Sequence, residues 1–221
     1  MEIYLDTAIV DEIKEIQEWG LVRGVTTNPS LIAQTGRDYK DAVMEVLSLV
    51  DGPVSVETLS DNAAEIVSQG EEYATWGDLV VVKVATTVEG LKAISQLRAL
   101  GIPTNATLIF SLNQSILAAE AGANYISPFV GRLDDIGGDG IGLVAESVDY
   151  VEENDLDCDV ISASLRHPQH LEDSAKVGAH IATCPPSLLK KALKHPLSDI
   201  GLAAFFSDWR KASRNVRGLE E

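Results

Sequence analysis

The chain has 221 residues, of which 45% are hydrophobic, and no low-complexity stretch divides it, so it has the composition of a folded domain. Its formal net charge of −17, from 34 acidic and 17 basic residues, argues against a general binder of nucleic acid. No apolar run approaches the roughly 20 residues of a membrane span, and the acidic N-terminus lacks a signal-peptide pattern, so we expect a cytoplasmic protein without a membrane partner.

Short β-branched runs alternate with amphipathic helical runs along the chain, which is typical of β-α units. Eight strands are predicted, the number that closes a parallel barrel. They are Ile3–Leu5, Leu21–Thr26, Pro53–Glu57, Leu79–Lys83, Pro103–Leu108, Tyr125–Ser127, Asp159–Ala163 and Ala179–Ala182. We therefore predict one domain over residues 1–221, an α/β fold that is a single (β/α)8 TIM barrel with an extra C-terminal helix.

The alternative architecture is an open doubly wound sheet. Such a sheet usually carries a Gly-rich phosphate loop after its first strand. Here the first strand ends in Asp6-Thr7-Ala8, without glycine, which favours the barrel.

Apolar residues at helical spacing predict helices between the strands. The clearest stripes are Ile9, Ile13 and Ile16, then Tyr39, Ala42, Val43, Val46, Leu47 and Val50, and finally Leu202, Phe205, Phe206 and Trp209. Ser111, with Gln114 three residues later, predicts a capping box that opens the helix after the fifth strand. Gly122 and Gly178 each predict a helix C-terminal turn that leads into a strand.

The polar residues are concentrated at the predicted carboxyl ends of the strands, where barrel enzymes place their chemistry. Nearly every strand delivers a polar or charged side chain to this rim. In chain order these are Asp6, Asn28, Glu57, Lys83, Asn105, Thr107, Ser127, Arg132, Ser164 and Arg166.

Lys83 closes the apolar run Leu79-Val80-Val81-Val82, where a charged ammonium is costly unless it is paired. Burial favours the neutral amine, and a neutral amine can attack a carbonyl carbon. The alternative is a structural ion pair with Glu57 or a side chain that reaches out to solvent. The pattern by itself leaves both readings open.

Asp6 and Glu57 would supply carboxylates near this lysine. Schiff-base chemistry needs proton transfers at each of its steps, and carboxylates with a positioned water fit that need. The alternative for Asp6 is a cap for the helix that starts near Ile9.

Arg132 and Arg166 each follow an apolar strand, and Ser164 lies two residues before Arg166. Two guanidinium groups with a hydroxyl would form a phosphate clamp. The alternative is surface ion pairing with the adjacent Asp134 and Asp135.

The remaining reactive side chains predict no metal site. Cys158 and Cys184 lie in no Cys-x-x-Cys pair, so we expect buried, reduced thiols. The four histidines show no base–nucleophile pattern. The segment Gly137-Gly138-Asp139-Gly140 lacks the Lys-Ser/Thr of a P-loop, and we interpret it as a flexible turn.

Four segments together resemble the transaldolase family, and the short length resembles its compact branch, which includes the fructose-6-phosphate aldolases. The resemblance runs from Asp6 to about Trp209. The segments are Gly24-Val25-Thr26-Thr27-Asn28-Pro29-Ser30-Leu31, Thr104-Asn105-Ala106-Thr107-Leu108, Ser127-Pro128-Phe129-Val130-Gly131-Arg132 and Ala163-Ser164-Leu165-Arg166.

The resemblance implies a reaction without metal or cofactor, in which a dihydroxyacetone unit moves from a ketose phosphate to an aldose phosphate. Lys83 matches the Schiff-base lysine, and Asp6 matches the carboxylate that handles the substrate hydroxyl proton. Glu57 and Thr107 match the pair that holds the catalytic water. The matching substrate-binding residues are Asn28, Asn105, Ser127 and Phe129, and the matching phosphate site is Arg132, Ser164 and Arg166.

Two positions favour transfer over net cleavage. The aldolase branch typically has glutamine at the Glu57 position and tyrosine at the Phe129 position, whereas transaldolases have the residues found here. One departure is Ala85, where the family usually has proline, so a backbone N–H is freed after the fourth strand. A non-catalytic phosphosugar-binding barrel is the remote alternative.

The resemblance to the compact branch also implies a ring-forming oligomer, either a pentamer or a decamer, in which the C-terminal helix packs on a neighbouring subunit. The stripe of Leu202, Phe205, Phe206 and Trp209 would serve that contact. The same stripe could dock on its own barrel, and spacing does not choose between the two.

Overall fold

The computed structural model describes residues 1–212, which contain a closed barrel of eight parallel strands. Each strand pairs with the next in sequence, and the eighth closes the barrel on the first. The strands are β1 (Glu2–Asp6), β2 (Val22–Thr26), β3 (Val54–Glu57), β4 (Val80–Ala85), β5 (Thr104–Ile109), β6 (Tyr125–Pro128), β7 (Asp159–Ser162) and β8 (Ile181–Cys184). The predicted barrel is confirmed, and the open doubly wound sheet is wrong.

Helices connect the strands and surround them. They are α1 (Val10–Gln17), α2 (Pro29–Gln34), α3 (Tyr39–Leu47), α4 (Ala63–Ala74), α5 (Val88–Ala99), α6 (Leu112–Glu120), α7 (Val130–Asp134), α8 (Gly140–Glu153), α9 (Pro168–Lys176), α10 (Pro186–Ala192) and α11 (Pro196–Ala212). The last of these is the predicted extra C-terminal helix. None of the helices within residues 1–212 combines the length and the apolar character that crossing a bilayer requires.

The predicted helix ends follow the local chemistry. The Ser111 hydroxyl accepts a hydrogen bond from the backbone N–H of Gln114, 3.3 Å away, as in a capping box. The Gln114 side chain reaches back to the N–H of Phe110 at 2.8 Å, one residue before the expected partner. Gly122 and Gly178 have φ of 93° and 80°, the left-handed conformation of a helix C-terminal turn.

The lower half of the barrel interior is filled by aromatic and aliphatic side chains. Tyr4 packs with Ile161 and Ile181, and Tyr125 lies against them. Gly24 leaves space for the Tyr4 ring, because a Cβ at Gly24 would lie 2.6 Å from that ring. Residues alternate between the two faces of a strand, so the side chains that share the interior with Tyr4 are found two residues later, at Asp6 and its counterparts.

Most predicted strand boundaries differ from the structure by at most one residue, but two strands, the fourth and the eighth, differ by two residues at one end or both, each for a local reason. The eighth strand was predicted over Ala179–Ala182, but the N–H of Ala179 ends helix α9 by donating to the Ser174 carbonyl, so β8 begins two residues later. The fourth strand was predicted to end at Lys83, but it continues to Ala85, paired with Thr107 of β5. Lys83 of β4 and Thr183 of β8 line the polar upper part of the barrel, yet both strands continue beyond them. A polar residue therefore does not mark the end of a strand here.

Candidate active site

Lys83 lies in the interior of the upper barrel, near the carboxyl ends of the strands. Its side chain is 6% exposed, and its Nζ lies 3.1 Å from Oε2 of Glu57. The ammonium also donates a hydrogen bond to the Thr27 carbonyl oxygen at 3.0 Å. The side chain therefore does not extend to bulk solvent, and it has both an ion-pair partner and a backbone acceptor.

Strand register places three of the predicted residues in one row. Glu57 of β3 is paired with Lys83 of β4, which is paired with Asn105 of β5. Asn105 donates to the Ser55 hydroxyl at 3.0 Å and accepts from the Ser127 hydroxyl at 2.7 Å. The buried amide is thus fixed from both sides, beside the lysine.

Thr107 lies two residues after Asn105 and therefore on the same interior face. It is fully buried, and its hydroxyl has no hydrogen-bond partner within residues 1–212. Buried hydroxyls are normally satisfied, so an unpaired one is typical of a place where a bound water or a substrate group completes the set. This is the environment that a water-holding residue requires.

Asp6 ends β1 and lies beside Thr26 of β2. The Thr26 hydroxyl donates to Oδ1 of Asp6 at 2.9 Å and is itself 2.6 Å from the Thr183 hydroxyl. Burial raises the pKa of Asp6, whereas Lys83 and the bond from Thr26 pull it down by less. A raised pKa brings this carboxyl closer to the pH at which a general base works best.

The alternative reading of Asp6 as a helix cap is not what the structure shows. Helix α1 begins after Ile9, which has no side-chain cap, and the N–H of Ile9 donates to the Thr7 hydroxyl at 3.1 Å. The Asp6 carboxylate instead faces the interior of the barrel and the cavity above Lys83.

A cavity of about 310 Å³ opens above these residues at the carboxyl ends of the strands. It has two carboxylates and two cations in its wall, so the site is balanced in charge although the whole chain is strongly acidic. Its lining is Asp6, Thr26, Asn28, Pro29, Ser30, Glu57, Lys83, Leu108, Ser127, Phe129, Arg132, Ala163, Ser164 and Thr183. Eight of the eleven predicted site residues belong to this wall, and Asn105 and Thr107 are buried in the same strands.

Asn28 holds the start of α2 and lines the cavity. Its Oδ1 accepts the N–H of Leu31 at 3.0 Å, which satisfies a free donor of the first helical turn. With that oxygen engaged, the amide nitrogen is the polar group that can donate to a ligand. The cap therefore orients the side chain for binding.

Arg132 and Ser164 line the cavity opposite Asn28 and carry the predicted phosphate site. Arg132 stacks with its guanidinium carbon 5.0 Å from the centre of the Phe129 ring, which is held edge-on by Phe110 at 5.5 Å. Ser164 has a φ of 59°, a conformation that favours glycine and is concentrated at functional sites in other residues.

Arg166 is not part of the cavity wall. Its Nη2 donates to Oδ2 of Asp135 at 2.9 Å, and its side chain is 51% exposed. This is the surface pairing that the sequence left open for it. The phosphate role of Arg166 therefore stays a prediction that requires a change of rotamer.

Sequence reasoning gave no role to six lining residues, namely Thr26, Pro29, Ser30, Leu108, Ala163 and Thr183. Thr183 was missed because the predicted eighth strand ended at Ala182, two residues before the end of β8. Leu108 has a φ of 59°, and a leucine in a sequence gives no signal for a positive φ. Thr26 was visible in the quoted segment, but only register pairs it with Asp6.

The other sequence expectations concern residues outside the cavity. Cys158 and Cys184 are free and buried, as predicted, and burial raises the pKa of each thiol to about 12. Gly137 and Asp139 belong to a turn, in which Asp139 caps α8 by accepting from the N–H of Gly142 at 2.8 Å. Without the family's proline at Ala85, the loop after β4 is held by Thr86, whose N–H and hydroxyl both donate to the Thr107 carbonyl.

Comparison with known proteins agrees with this geometry. The family model described as Transaldolase/Fructose-6-phosphate aldolase matches residues 3–216. A probable transaldolase of Aquifex aeolicus is 52% identical over 211 residues, which cover 96% of this chain and 97% of that protein. Probable transaldolases of Clostridium acetobutylicum and of a Thermoanaerobacter species are each 49% identical, over 96% and 98% of this chain and 99% and 100% of their own lengths. The chain belongs to the transaldolase/fructose-6-phosphate aldolase family.

Proposed function

We propose that this enzyme is a transaldolase of the non-oxidative pentose phosphate pathway. It moves a dihydroxyacetone unit from a ketose phosphate, sedoheptulose 7-phosphate or fructose 6-phosphate, to an aldose phosphate. The observation that carries the proposal is the Lys83 amine, buried at a polar cavity and 3.1 Å from the Glu57 carboxylate. The names of the relatives support the same activity.

Imine formation begins at Lys83. Glu57 accepts the ammonium proton across the 3.1 Å contact, and the free amine attacks the keto carbon of the sugar. The carbonyl oxygen becomes a hydroxyl and leaves as water after protonation. Thr107 and Glu57 hold this water, and the same pair returns it when the imine is hydrolysed.

Carbon–carbon cleavage begins at Asp6. Its carboxylate accepts the proton of the substrate hydroxyl next to the breaking bond, and the aldose phosphate leaves as an aldehyde. The bonding electron pair stays on the dihydroxyacetone unit as an enamine of Lys83. The enamine then attacks the aldehyde carbon of the acceptor, whose oxygen takes the proton back from Asp6, and hydrolysis releases the new ketose phosphate.

The rest of the wall orients the sugar. The amides of Asn28 and Asn105 and the hydroxyl of Ser127 bind the substrate hydroxyls, while Phe129 covers one side. Arg132 and Ser164 bind the phosphate, and Arg166 joins them after leaving Asp135. A local clamp is needed because the chain as a whole, at −17, repels an anion.

Net cleavage, the aldolase reaction, is the less favoured alternative within the family. It requires water to release dihydroxyacetone before an acceptor arrives. Phe129 places a ring without a hydroxyl in the cavity wall, and Glu57 supplies a carboxylate in place of an amide, so the site lacks both groups of the aldolase branch.

Borohydride trapping tests the proposal directly. The protein is incubated with fructose 6-phosphate, reduced with sodium borohydride, digested and analysed by mass spectrometry. We expect a stable three-carbon adduct on Lys83, and its absence from Lys83 in an otherwise folded protein would refute the proposal. Lys83→Met should abolish the adduct and the transfer activity, while Lys190→Met, at a half-exposed lysine of α10 that pairs with Glu15, should leave both unchanged.

The same variants test the remote alternative, a non-catalytic binding barrel. That reading would require wild type and Lys83→Met to bind ketose phosphate alike while neither turns it over. A wild-type protein that transfers dihydroxyacetone to glyceraldehyde 3-phosphate or erythrose 4-phosphate excludes it. Comparison of these two acceptors also measures the preferred acceptor.

We propose a cytoplasmic homo-oligomer, a pentamer or a decamer, with sugar phosphates as its ligands and neither a cofactor nor nucleic acid as a partner. Helix α11 supports the oligomer, since within its described span it has no buried residue and it exposes six large apolar side chains. These are Leu197, Ile200 and the four of the predicted stripe, Leu202, Phe205, Phe206 and Trp209, each at least 53% exposed. Light scattering of wild type and of Phe205→Ser/Trp209→Ser measures the mass; we expect a large assembly that the double variant dissociates, and a monomeric wild type would refute this.

A further inference from the structure

A buried histidine lies behind the phosphate end of the cavity and has no role in the proposed mechanism. His170 of α9 is 6% exposed. Its Nδ1 accepts the backbone N–H of Arg166 at 3.1 Å, and its Nε2 lies 3.0 Å from Oδ2 of Asp134. The other oxygen of Asp134 accepts the N–H of Gly140 at 2.9 Å. One imidazole thus joins the segment after β7 to the end of α7.

These two pieces of chain carry the whole predicted phosphate site. Helix α7 holds Arg132, and the segment after β7 holds Ser164 and Arg166. The two also meet directly, because the N–H groups of Val130 and Gly131 donate to the carbonyls of Ala163 and Ser164 at 2.9 and 3.0 Å. The bond from Arg166 to His170 anchors the far end of the segment.

Ser164 explains why such an anchor is needed. Its φ of 59° is unfavourable for a residue with a side chain, and a strained residue persists only where its surroundings hold it. The carbonyl of Ser164 is held by Gly131, and the N–H two residues later is held by His170. The strained residue is therefore fixed on both sides.

The imidazole is suited to accept that bond. Burial and the neighbouring His167 lower the pKa of His170, with Asp134 opposing them, so the neutral form is favoured. In a neutral imidazole whose Nδ1 accepts, the proton lies on Nε2, where it can be donated to Asp134. Helix α9 is itself tied to the barrel, since the Ser174 hydroxyl donates to the His170 carbonyl and contacts the Ser162 hydroxyl of β7.

We propose that His170 is a positioning residue for phosphate recognition, which holds the backbone of Ser164 and Arg166 against the helix that carries Arg132. This inference rests on the proposed function, because it concerns the phosphate end of that same site. It assigns His170 no contact with the substrate. Its loss should weaken binding of phosphorylated sugars and leave the chemistry at Lys83 unchanged.

Three variants separate the two bonds of the imidazole. In His170→Asn the amide oxygen takes the place of Nδ1 and can still accept from Arg166. In His170→Gln the amide nitrogen takes the place of Nε2, so the bond to Asp134 remains and the bond to Arg166 is lost. His170→Leu removes both. We expect KM for fructose 6-phosphate to rise about tenfold in the Leu and Gln variants, to rise less than about threefold in the Asn variant, and kcat to change by less than about threefold in all of them.

Unphosphorylated fructose and inorganic phosphate supply the second readout. The Leu and Gln variants should use fructose as well as wild type does, and inorganic phosphate should inhibit them about tenfold less strongly. Equal KM values for wild type and the Gln and Leu variants, or an Asn variant no better than Gln, would overturn the proposal. If the Leu variant does not fold, the Asn and Gln variants decide the question between them.

The chain contains a matched control. His180 also accepts a backbone N–H with its Nδ1, from Val160 at 2.8 Å, but it lies at the start of β8, at the opposite end of the barrel. His180→Gln should lower the melting temperature without changing KM for fructose 6-phosphate. A KM increase equal to that of His170→Gln would show that general loosening of the fold is the cause, and would overturn the proposal.

Failure of this inference differs from failure of the proposed function. A wild type that forms no borohydride adduct refutes the function, and the affinity for inorganic phosphate, measured by calorimetry, then still decides the role of His170. Equal phosphate affinity in wild type and in His170→Gln refutes that role even in an active enzyme.

Discussion

The guanidinium of Arg166 lies 2.9 Å from the carboxylate of Asp135, so this arginine pairs beside the cavity that Arg132 lines. Both partners are about half exposed, and an exposed ion pair contributes little to stability. Asp135 is therefore placed to compete with a substrate phosphate for Arg166, at a small energetic cost to the ligand.

Removal of this competition should improve phosphate binding. In Asp135→Asn the amide no longer neutralises Arg166, so the guanidinium is free to turn toward the cavity. We expect KM for fructose 6-phosphate to fall about two- to fivefold, the range that an exposed ion pair allows, with kcat unchanged. Steady-state kinetics measure this. Asp157→Asn, an exposed aspartate at the other end of the barrel, serves as the control, and an unchanged KM in Asp135→Asn would show that Arg166 takes no part in phosphate binding.

The raised pKa of Asp6 links stability to pH. Burial favours the neutral acid, so the folded chain holds a proton at Asp6 more tightly than the unfolded chain does. Stability therefore falls as pH rises from the unfolded pKa through the raised folded pKa. Asp6→Asn removes this loss, and we expect its melting temperature to exceed that of wild type by more at about pH 8 than at about pH 4.

The same change should abolish transfer, because an amide accepts no proton from the substrate hydroxyl. Thermal unfolding at the two pH values and an activity assay test both expectations. The exposed Asp61, changed to Asn, provides the comparison for a carboxylate without that burial. A gain in melting temperature that is the same at both pH values would contradict the burial of a destabilising charge at Asp6.

The barrel was predictable because short β-branched runs alternate along the chain with amphipathic helical runs, and because eight such strands close a barrel. Lys83 stood out for the same reason, since a single cation closes a run of four apolar residues. The pairing of Glu57 with Lys83 follows from the fold, because equal positions on neighbouring parallel strands meet in register. These features depend on local pattern and on topology, both of which a sequence records.

Other parts of the site depend on geometry that the pattern does not record. Ser164 and Leu108 have positive φ although neither is glycine, so the bends that bring them into the wall were not visible. Whether the Arg166 side chain pairs with Asp135 or reaches the cavity depends on its rotamer, which a sequence does not record. The place of Thr183 in the wall could be predicted only with the correct bounds of β8. That strand begins later than predicted because the N–H of Ala179 is used in ending helix α9.

Gly131 permits the close approach of α7 to the segment after β7. A Cβ at this position would lie 2.3 Å from the Ser164 carbonyl oxygen and 2.5 Å from Cγ of Arg166. Gly131→Ala should therefore separate the two halves of the phosphate site. We expect a loss of about 1–3 kcal/mol in the free energy of unfolding, as for overpacking elsewhere, together with a higher KM for phosphorylated sugars.

Chemical denaturation and kinetics measure the two effects. Gly77→Ala is the matched control, because the nearest atom to its new Cβ is a Leu47 methyl group at 3.7 Å, an ordinary contact. A Gly131→Ala protein as stable as the control would mean that α7 can move away from Ser164 without cost, which would also weaken the case for a rigid phosphate site.

Phe129 bears on the choice between transfer and net cleavage. Its ring lines the cavity and is held by Phe110 at 5.5 Å, so a hydroxyl added by Phe129→Tyr would enter a wall that has none at that point. A phenol can donate a proton as the Lys83 enamine is converted to free dihydroxyacetone, which ends the cycle without an acceptor. We expect the rate of dihydroxyacetone release from fructose 6-phosphate alone to rise about tenfold or more, with slower transfer. Phe110→Tyr is the control, because Phe110 supports the same ring without lining the cavity, and a release rate unchanged in Phe129→Tyr would mean that position 129 does not set the fate of the enamine.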